Sequence, residues 1–416
     1  MMEYGCIGKK LGHSFSKIVH GQLAEYSYEL TEIPPEELDG FMRRADFKAI
    51  NVTIPYKEAV IPYLSWMSDT ARQIGAVNTV VNRGGRLYGY NTDMAGMTAL
   101  LRRQGLSLEN RKVLVAGSGG TSKTAVATAR ALGAAQVVRL SRTAREDAVT
   151  YTDAPRLHAD AQVLINTTPC GMYPRLGDMA VNLDDYPALV GVTDAVYNPL
   201  RPALVVEARQ RGLNAVGGLY MLVAQAAYAV EKFIGERVAE ADIERVYTAI
   251  ETEKRTLVLI GMPGCGKSTL GKLAAAALSK QFFDSDAEIE KQTGRTPAQW
   301  IAAEGEPAFR RIEAQVIARL AAEQSAVIAT GGGAVLNPEN IRLLRENGTL
   351  VFIDRPPEKL AVTADRPLSA TRELLAQRYR ERYSLYQAAA DAVLTAADSR
   401  EDNARRLTEL FRQATV

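Results

Sequence analysis

Short apolar runs, each followed by a glycine-rich or polar turn, recur along the chain and predict the buried strands of α/β domains. Residues 257–260 form one such unbroken run. The turn after it matches the spacing G-x-x-x-x-G-K-S at Gly261, Gly266, Lys267 and Ser268, and the helix-forming run LGKLAAAAL follows. A strand, a glycine loop and a helix in this order are typical of a loop that binds phosphate groups.

The residue types in this loop favour a nucleotide. Glycines such as Gly264 and Gly266 allow backbone N–H groups to turn toward phosphate oxygens, while Lys267 can reach the outer phosphates and Ser268 can bind Mg²⁺. Together with Thr269 they form the predicted ATP site. The alternative is an ordinary glycine-rich turn between a strand and a helix. Because such a loop normally opens its domain, the residues before position 255 are predicted to form a separate module.

A second glycine turn, in RKVLVAGSGGTSKTAVATARALGA, lies between another apolar run and a helix-forming stretch. Gly117, Gly119 and Gly120 supply the tight turn and the close backbone approach that the pyrophosphate of a dinucleotide needs. A glycine fingerprint alone is weak, but this one lies inside a β-α-β pattern. The turn therefore predicts a dinucleotide-binding domain.

The next strand, AQVVRL, indicates which dinucleotide is bound. It ends in Ser141, Arg142 and Thr143. NAD-binding proteins usually carry an acidic residue at this strand end, which binds the ribose 2′-hydroxyl, whereas an arginine suits the 2′-phosphate of NADP. No acidic residue stands here, so NADP(H) is favoured over NAD.

Polar residues also follow the apolar runs near the N-terminus. Ser14 and Ser16 crowd the loop after the run at residues 4–7, where their hydroxyls could bind a polyhydroxylated ligand or cap the start of a helix. Lys57 comes shortly after the run at residues 49–54. A lysine at the end of a strand faces the crevice where α/β proteins bind ligands, although taken alone it is better explained as a solvated surface residue.

Two further runs, GAVNTVV and LYGYNTDMAG, each contain an Asn-Thr pair, and the second adds Asp93. An isolated aspartate is most often a cap or turn residue. Together, NVTIPYK, GAVNTV, GYNTD and the opening HSFS loop resemble the shikimate dehydrogenase family, over essentially all of residues 1–250. The resemblance implies that Lys57 supplies a proton and that Asp93 hydrogen-bonds the substrate and the lysine.

The same resemblance implies further contacts in the first half of the chain. The implied substrate-binding residues are Ser14, Ser16, Thr53, Asn78 and Gln225. Tyr197 and Gly218 would flank the nicotinamide. Gln225 could instead be an exposed polar residue on an amphipathic helix. The implied domains are a substrate-binding α/β domain of residues 1–96 plus 214–250 and a Rossmann-like NADP-binding domain of residues 97–213.

After a short linker, ETEKRT, the C-terminal part combines the phosphate loop with FFDSDAEIEKQTG, GEPAFRRIEAQV, VIATGGGAV, ADRPLS and RYRERYSLY. Together these stretches resemble shikimate kinase. The resemblance implies a P-loop domain with a parallel sheet over residues 254–416. An anionic substrate suits guanidinium groups, and phosphoryl transfer suits Mg²⁺, a lysine and a lid arginine.

The kinase resemblance also implies individual roles. Asp286 would hydrogen-bond the reacting hydroxyl, unless it is only the N-cap of a helix. Arg310 and Arg382 would hold the substrate carboxylate, and Glu313 would orient neighbouring groups. The remaining implied residues are Gly331, Gly332 and Gly333 in the substrate pocket, Ser268 and Asp284 at Mg²⁺, and Arg366 on a lid over the phosphates.

Composition narrows the class of protein. A chain of 416 residues predicts two or three domains, and a net charge of +2 gives no case for nucleic acid or a membrane as a partner. Cys6, Cys170 and Cys265 are far apart and lack metal-ligand spacing, which favours a reducing cytoplasm. Cys265, beside Lys267, is either reactive toward alkylating reagents or a buried, inert residue. Monomer and homodimer both remain open.

The sequence thus predicts a fused enzyme that uses NADPH, ATP and Mg²⁺. Its first half would reduce 3-dehydroshikimate to shikimate, and its second half would phosphorylate shikimate. Two alternatives remain open. The dehydrogenase half could act on quinate or use NAD, or one half could be a non-catalytic module that binds a metabolite.

Overall fold

Most strands pair in parallel, as the unbroken apolar runs predict. A computed structural model of the chain describes residues 2–12, 15–361, 371–397 and 399–414. Two predicted site residues, Ser14 and Arg366, lie outside this part of the chain. The chain divides into two units, one of Met1–Met172, Asp178–Asn198 and Glu207–Glu251, the other of Tyr173–Gly177, Pro199–Val206 and Thr252–Val416.

The first unit begins with a mixed six-stranded sheet in the order β2-β1-β3-β5-β6-β4. The strands are β1 (Tyr4–Gly8), β2 (Tyr28–Glu32), β3 (Ala49–Val52), β4 (Trp66–Met67), β5 (Thr79–Arg83) and β6 (Arg86–Tyr90). Strand β5 runs antiparallel to both β3 and β6. Gly84 and Gly85, at φ +60° and +84°, make the two-residue turn between β5 and β6, where a right-twisted hairpin needs positive φ.

Helices cover this sheet and bury its apolar side chains. They are α1 (Ser16–Leu23), α2 (Leu38–Arg44), α3 (Asp69–Ile74) and α4 (Asp93–Gln104), with 3-10 turns at Pro35–Glu37 and Ile61–Tyr63. Ile7, Ile50 and Val80 are fully buried in the resulting core. Strand β3 ends at Val52, so Thr53 and Lys57 lie in the turn just beyond it.

The second sheet of this unit is entirely parallel, in the order β12-β11-β10-β7-β8-β9. Its strands are β7 (Lys112–Ala116), β8 (Gln136–Ser141), β9 (Val149–Thr150), β10 (Val163–Asn166), β11 (Gly191–Asp194) and β12 (Asn214–Val216). The connecting helices are α5 (Gly120–Ala131), α6 (Ala154–His158) and α7 (Ala203–Gln210), with a 3-10 turn at Leu183–Asp185. Strand order reverses between β7 and β10, which is where open α/β sheets bind ligands.

Helix α8 (Leu219–Ile234) then packs against α1, α4 and β5 of the first sheet. The contact with α4 is close because Gly96 has no side chain. A Cβ atom at Gly96 would lie 2.7 Å from the carbonyl oxygen of Met221 and 2.8 Å from Cβ of Gln225. This approach brings Gln225 of α8 close to the amino end of α4.

The expected linker at residues 251–256 is mostly helical. Helix α9 (Glu240–Lys254) is separated from β13 (Thr256–Ile260) by Arg255 alone. The last carbonyls of a helix have no partner within the helix. Here the Lys280 ammonium group donates to the carbonyl oxygens of Thr252, Glu253 and Arg255 at 3.1, 2.7 and 2.9 Å. These bonds stabilise the last turn of α9 next to β13.

The second unit contains a five-stranded sheet in the order β14-β15-β13-β16-β17. Its strands all pair in parallel, as predicted. Its strands are β13, β14 (Gln281–Asp284), β15 (Ala326–Ala329), β16 (Gly348–Asp354) and β17 (Ala392–Thr395). The central strand β13 is buried along its whole length. The predicted phosphate loop follows its carboxyl end.

Helices surround this sheet. They are α10 (Lys267–Leu278), α11 (Ser285–Thr293), α12 (Pro297–Glu304), α13 (Glu306–Ala321), α14 (Pro338–Asn347), α15 (Arg372–Ala389) and α16 (Arg400–Gln413), with 3-10 turns at Ala334–Leu336 and Pro357–Lys359. Thr296 and Gln299 form a reciprocal capping box that starts α12. Within the described residues, no helix combines the length and the apolar character that crossing a bilayer requires.

Candidate active sites

Lys57 and Asp93 form an ion pair in the first unit. The Lys57 ammonium group donates to Oδ2 of Asp93 at 2.5 Å, and the two side chains are only 14% and 9% exposed. Lys57 lies in the turn after β3, whereas Asp93 is the first residue of α4. Lys57 is therefore not a solvated surface residue. Asp93 is also not the N-cap of α4, since that position belongs to Thr92.

Asn78 fixes the second oxygen of the carboxylate. Its Nδ2 donates to Oδ1 of Asp93 and to Oγ1 of Thr92, both at 2.9 Å, while its Oδ1 accepts from the Thr92 backbone N–H at 2.8 Å. Because Asp93 is held on both oxygens, it presents a defined orientation to Lys57. Thr92 was not among the predicted residues, although it belongs to the quoted GYNTD stretch.

Gln225 joins this cluster from α8. Its Oε1 accepts from Nδ2 of Asn78 at 3.3 Å, and its Nε2 donates to the carbonyl oxygen of Leu222 at 2.9 Å. The close packing at Gly96 makes this contact possible. The structure thus brings Gln225 to the predicted site, and the alternative of an exposed residue on an amphipathic helix is wrong.

A buried polar chain supports Asn78 from behind. Tyr28 donates to Oδ1 of Asn51 at 2.7 Å, Nδ2 of Asn51 donates to Oγ1 of Thr79 at 3.3 Å, and Thr79 donates to Oδ1 of Asn78 at 3.0 Å. All four residues are buried. Because Tyr28 donates to the amide oxygen of Asn51, the amide nitrogen of Asn51 is left to donate to Thr79. The Thr79 hydroxyl in turn donates to the amide oxygen of Asn78, so the amide of Asn78 has one favoured orientation.

The second glycine turn lies beside Lys57. Gly117, at φ +117°, has no room for a side chain, because a Cβ there would lie 2.6 Å from Oγ1 of Thr167. Gly119 faces open space, and Gly120 starts α5, with its Cβ position 3.8 Å from Cδ of Lys57. The turn therefore leaves space for a pyrophosphate at the helix N-terminus, close to the proposed proton donor.

The residues predicted to choose the cofactor follow β8. Ser141 is buried and donates through its hydroxyl to the carbonyl oxygen of Thr143, while the Arg142 and Thr143 side chains are exposed. This exposure suits a charged contact with a phosphate at the surface.

Tyr197 packs against Phe15 with ring centroids 5.3 Å apart, and burial raises the pKa of Tyr197 to about 12.

Gly218 is a second position where only glycine fits. A Cβ atom there would lie 2.3 Å from the carbonyl oxygen of Ala195.

Helix α1 starts at Ser16, with Phe15 as its N-cap residue and no side-chain capping bond. The alternative that Ser16 serves to cap this helix is therefore wrong. Ser14 lies outside the described residues.

The phosphate loop of the second unit adopts the backbone that its glycines predict. Gly261, Gly264 and Gly266 have φ of +145°, +79° and +101°, which residues with side chains rarely adopt. Lys267 is buried, and its ammonium group donates to the carbonyl oxygens of Gly261 and Met262 at 2.8 and 2.9 Å. Its charge has no carboxylate partner in the described part of the chain.

Ser268 and Asp284 provide adjacent oxygen atoms. The Ser268 hydroxyl donates to Oδ2 of Asp284 at 2.5 Å, whereas Oδ1 of Asp284 accepts from the backbone N–H of Asp286 at 3.0 Å. Asp284 is the N-cap of α11, so the alternative that Asp286 is that cap is wrong. The described residues contain no group of three or more His, Cys, Asp or Glu side chains that could hold a metal.

This pair still fits Mg²⁺. Magnesium is usually bound through one or two protein oxygens, with water and substrate phosphates completing the coordination, rather than by an all-protein cage. The Ser268 hydroxyl and the Asp284 carboxylate, next to a phosphate loop, have that donor set. Thr269 is exposed at the same helix N-terminus.

Arg310 is held between two carboxylates. Its Nη2 donates to Oε1 of Glu306 and its Nη1 donates to Oε2 of Glu313, both at 2.7 Å. Burial raises the pKa of Glu313, an effect that Arg310 opposes. Oε1 of Glu313 has no hydrogen-bond partner among the described residues. This unpaired oxygen agrees with a residue that orients neighbouring polar groups.

The three consecutive glycines lie against these side chains. A Cβ at Gly331 would lie 2.7 Å from Oε1 of Glu313 and 2.9 Å from Oδ1 of Asp286, and one at Gly333 would lie 2.2 Å from Nη1 of Arg310. Arg382 is buried and donates to the carbonyl oxygen of Gly332 at 3.0 Å. The glycines therefore keep space where the acidic and basic groups meet.

A cavity of about 320 Å³ joins the phosphate loop to these groups. Its lining includes most of the predicted kinase residues, namely Gly264, Gly266, Lys267, Ser268, Thr269, Asp284, Asp286, Arg310, Glu313, Gly331, Gly332, Gly333 and Arg382. Arg378 also lines it but was not predicted. The sequence feature that could have indicated Arg378 is its position one helical turn before Arg382. Arg366 lies outside the described residues.

Comparisons with known proteins match two parts of the chain to two families. Residues 6–80 match the family model for the shikimate dehydrogenase substrate binding domain, and residues 263–412 match that for shikimate kinase. The shikimate dehydrogenase (NADP(+)) of Clostridium beijerinckii is 33% identical over 270 residues, covering 61% of this chain and 99% of the relative. The chain belongs to the shikimate dehydrogenase family. It carries a shikimate kinase domain as well.

Solved structures of shikimate dehydrogenases share the fold. The enzyme from Thermus thermophilus in complex with NADP(H) and shikimate is 30% identical, with a TM-score of 0.54 over 60% of this chain and 99% of that one. A chorismate mutase/shikimate 5-dehydrogenase fusion protein from Clostridium acetobutylicum is 31% identical, with a TM-score of 0.57 over 60% of this chain and 97% of that one. The predicted family and α/β fold are confirmed, whereas the roles of individual residues stay predictions.

Proposed function

We propose that the dehydrogenase part reduces 3-dehydroshikimate to shikimate with NADPH and that the kinase domain transfers the γ-phosphoryl group of ATP to the 3-hydroxyl of shikimate. The product of the first reaction is then the substrate of the second. The observation that carries the first activity is the partly buried Lys57–Asp93 pair beside the glycine turn. The second rests on the cavity that joins the phosphate loop to Arg310 and Arg382.

In the dehydrogenase, Lys57 donates the proton to the substrate carbonyl oxygen. NADPH supplies the hydride to the carbonyl carbon, so the ketone becomes an alcohol. Asp93 orients Lys57 and accepts a hydrogen bond from a substrate hydroxyl. Asn78 and Gln225 complete the polar wall, and Arg142 binds the 2′-phosphate of the cofactor.

In the kinase, Asp286 accepts the proton of the attacking hydroxyl while Arg310 and Arg382 hold the substrate carboxylate. Lys267 and the N–H groups of the loop stabilise the negative charge of the phosphates. Ser268 and Asp284 would hold Mg²⁺, which neutralises further phosphate charge when bound. Arg366 would close over the phosphates.

The domain limits given above, residues 1–96 plus 214–250, 97–213 and 254–416, are part of this proposal. A reducing cytoplasm is its most suitable compartment, because Cys6, Cys170 and Cys265 lie far apart in the sequence.

A coupled assay tests both activities in one sample. With 3-dehydroshikimate, NADPH and ATP, we expect NADPH loss first and ADP release after a lag, because shikimate must accumulate. ADP release without NADPH would contradict the order of reactions. Initial rates with quinate and with NAD⁺ test the alternative dehydrogenase activities, and absence of either signal would favour a non-catalytic module in that half.

A further inference from the structure

Three arginines line the acceptor end of the kinase cavity, and they differ in their partners. Arg310 is already held by Glu306 and Glu313. Arg382 donates to the carbonyl oxygen of Gly332. Arg378 has no hydrogen-bond or ion-pair partner among the described residues and lines the same cavity. It is the arginine with the most hydrogen-bonding capacity left for a ligand.

Helix geometry explains why Arg378 lies there. Arg378 and Arg382 are four residues apart on α15, which places them on one face. Burial lowers the pKa of Arg378, and the nearby positive charge of Arg382 lowers it further. Glu381, the neighbouring acid on the same helix, is exposed and accepts a hydrogen bond from Gln377. Two partly desolvated guanidinium groups therefore repel each other at the cavity wall.

The charged groups at this end of the cavity indicate the kind of ligand that would relieve the repulsion. Arg310 is paired with the Glu306 and Glu313 carboxylates, whereas Arg378 and Arg382 have no carboxylate partner among the described residues. Asp286, which lines the same cavity, is assigned to the reacting hydroxyl. A carboxylate on the ligand would therefore meet Arg378 and Arg382, and a guanidinium fork can bind a carboxylate in a bidentate contact.

We propose that Arg378 is a third arginine that binds the carboxylate of the phosphoryl acceptor and contributes to selectivity for a carboxylate-bearing substrate. This inference rests on the proposed kinase function. Arg378 contacts the substrate directly, so its loss weakens binding of the acceptor and leaves binding of ATP at the other end of the cavity largely unchanged.

The test compares Arg378→Gln with Arg378→Lys and with the control Arg380→Gln. Arg380 is exposed on the same helix, two positions away, and so points to another face. We expect Arg378→Gln to raise KM for shikimate by about 10-fold or more, as loss of a charged hydrogen bond predicts. KM for ATP should change less than about twofold, Arg378→Lys should recover part of the affinity, and Arg380→Gln should behave as wild type.

A substrate analogue sharpens this test. The methyl ester of shikimate lacks the carboxylate charge, so wild type should prefer shikimate to the ester by a larger factor than Arg378→Gln does. Equal preference in both proteins, or an unchanged KM for shikimate, would overturn the role of Arg378. A wild-type protein that phosphorylates neither compound would overturn the proposed kinase function together with it. Dehydrogenase activity in each variant confirms that the protein is folded.

Discussion

Each of the two candidate sites contains a lysine with a mostly covered side chain, but the two lysines have different kinds of partner. Lys57 is bonded to the Asp93 carboxylate, whereas Lys267 is bonded to the backbone carbonyl oxygens of Gly261 and Met262. A carboxylate can orient a lysine toward an atom that needs a proton. Neutral carbonyls hold a lysine in position without cancelling its charge, which suits a group that must attract phosphates.

The acidic groups differ in the same way. In the dehydrogenase site, Asp93 is satisfied on both oxygens, by Lys57 and by Asn78. In the kinase site, Glu313 keeps one buried oxygen without a partner among the described residues. The first site is therefore internally balanced, whereas the second retains unsatisfied polar groups that a polar, charged substrate can complete.

Replacing Lys57 should give the largest effect on either activity. Lys57→Ala removes the proposed proton donor, so dehydrogenase kcat should fall by about 10²–10⁴-fold. Kinase activity should stay near wild type. Steady-state rates of NADPH oxidation and ADP release measure both, with the exposed Lys48→Ala as a matched control. Loss of both activities in a folded Lys57→Ala protein would show that the two sites are not independent.

Lys267→Ala tests the other lysine. It removes a positive charge that is proposed to stabilise the phosphates and should lower kinase kcat by about 10²–10³-fold, as loss of one electrostatic contact in a catalytic site does. Dehydrogenase activity should not change. Lys272→Ala, an exposed position on the same helix, is the control. If Lys267 served only to hold the loop carbonyls, the variant would lose thermal stability in proportion to its activity.

The parts of these sites that the sequence predicts are local. The phosphate loop and the glycine turn each lie within one short stretch, and their function depends on backbone geometry that glycine permits. The parallel sheets likewise follow from unbroken apolar runs. These features need no knowledge of distant residues.

Contacts between distant stretches could not be read from the residues alone. Gln225 reaches Asn78 across 147 positions because Gly96 allows two helices to approach, and only the family resemblance indicated it. Arg378 opens the RYRERYSLY stretch, but no role was predicted for it, because its role depends on which neighbours are already paired. Asp284 and Asp286 both suit a helix cap, and the backbone angles of Asp284, φ −115° and ψ 120°, decide between them.

Arg142→Ala should have a smaller effect that is confined to one cofactor. Arg142 is exposed directly after β8, and its proposed contribution is a charged hydrogen bond to the 2′-phosphate. KM for NADPH should rise by one to two orders of magnitude, corresponding to roughly 1.5–3 kcal/mol. NADH kinetics should barely move, and neither should those of the exposed control Arg156→Ala. Equal losses with both cofactors would assign Arg142 a structural role instead.

The smallest effect on activity should come from alkylating reagents, because each unit buries one cysteine. Cys265 is 1% exposed, with its Sγ 3.7 Å from the Lys267 ammonium group, and Cys6 is 3% exposed. Burial raises the pKa of the Cys6 thiol to about 12, so little thiolate forms there. Cys170 is partly exposed. The burial of Cys265 therefore favours the inert alternative that the sequence left open.

Alkylation separates the two alternatives. Exposed thiols react with iodoacetamide as thiolates at about pH 7.5. Under these conditions we expect modification of Cys170 first and little change in kinase activity. Peptide mapping by mass spectrometry identifies the modified position, and Cys170→Ser should abolish the fast reaction. Kinase loss that parallels modification of Cys265, and that ATP slows, would show instead that the phosphate loop opens enough to expose its thiol. In that case the balanced dehydrogenase site and the incomplete kinase site would also differ in mobility, since Cys6 should remain unmodified under the same conditions.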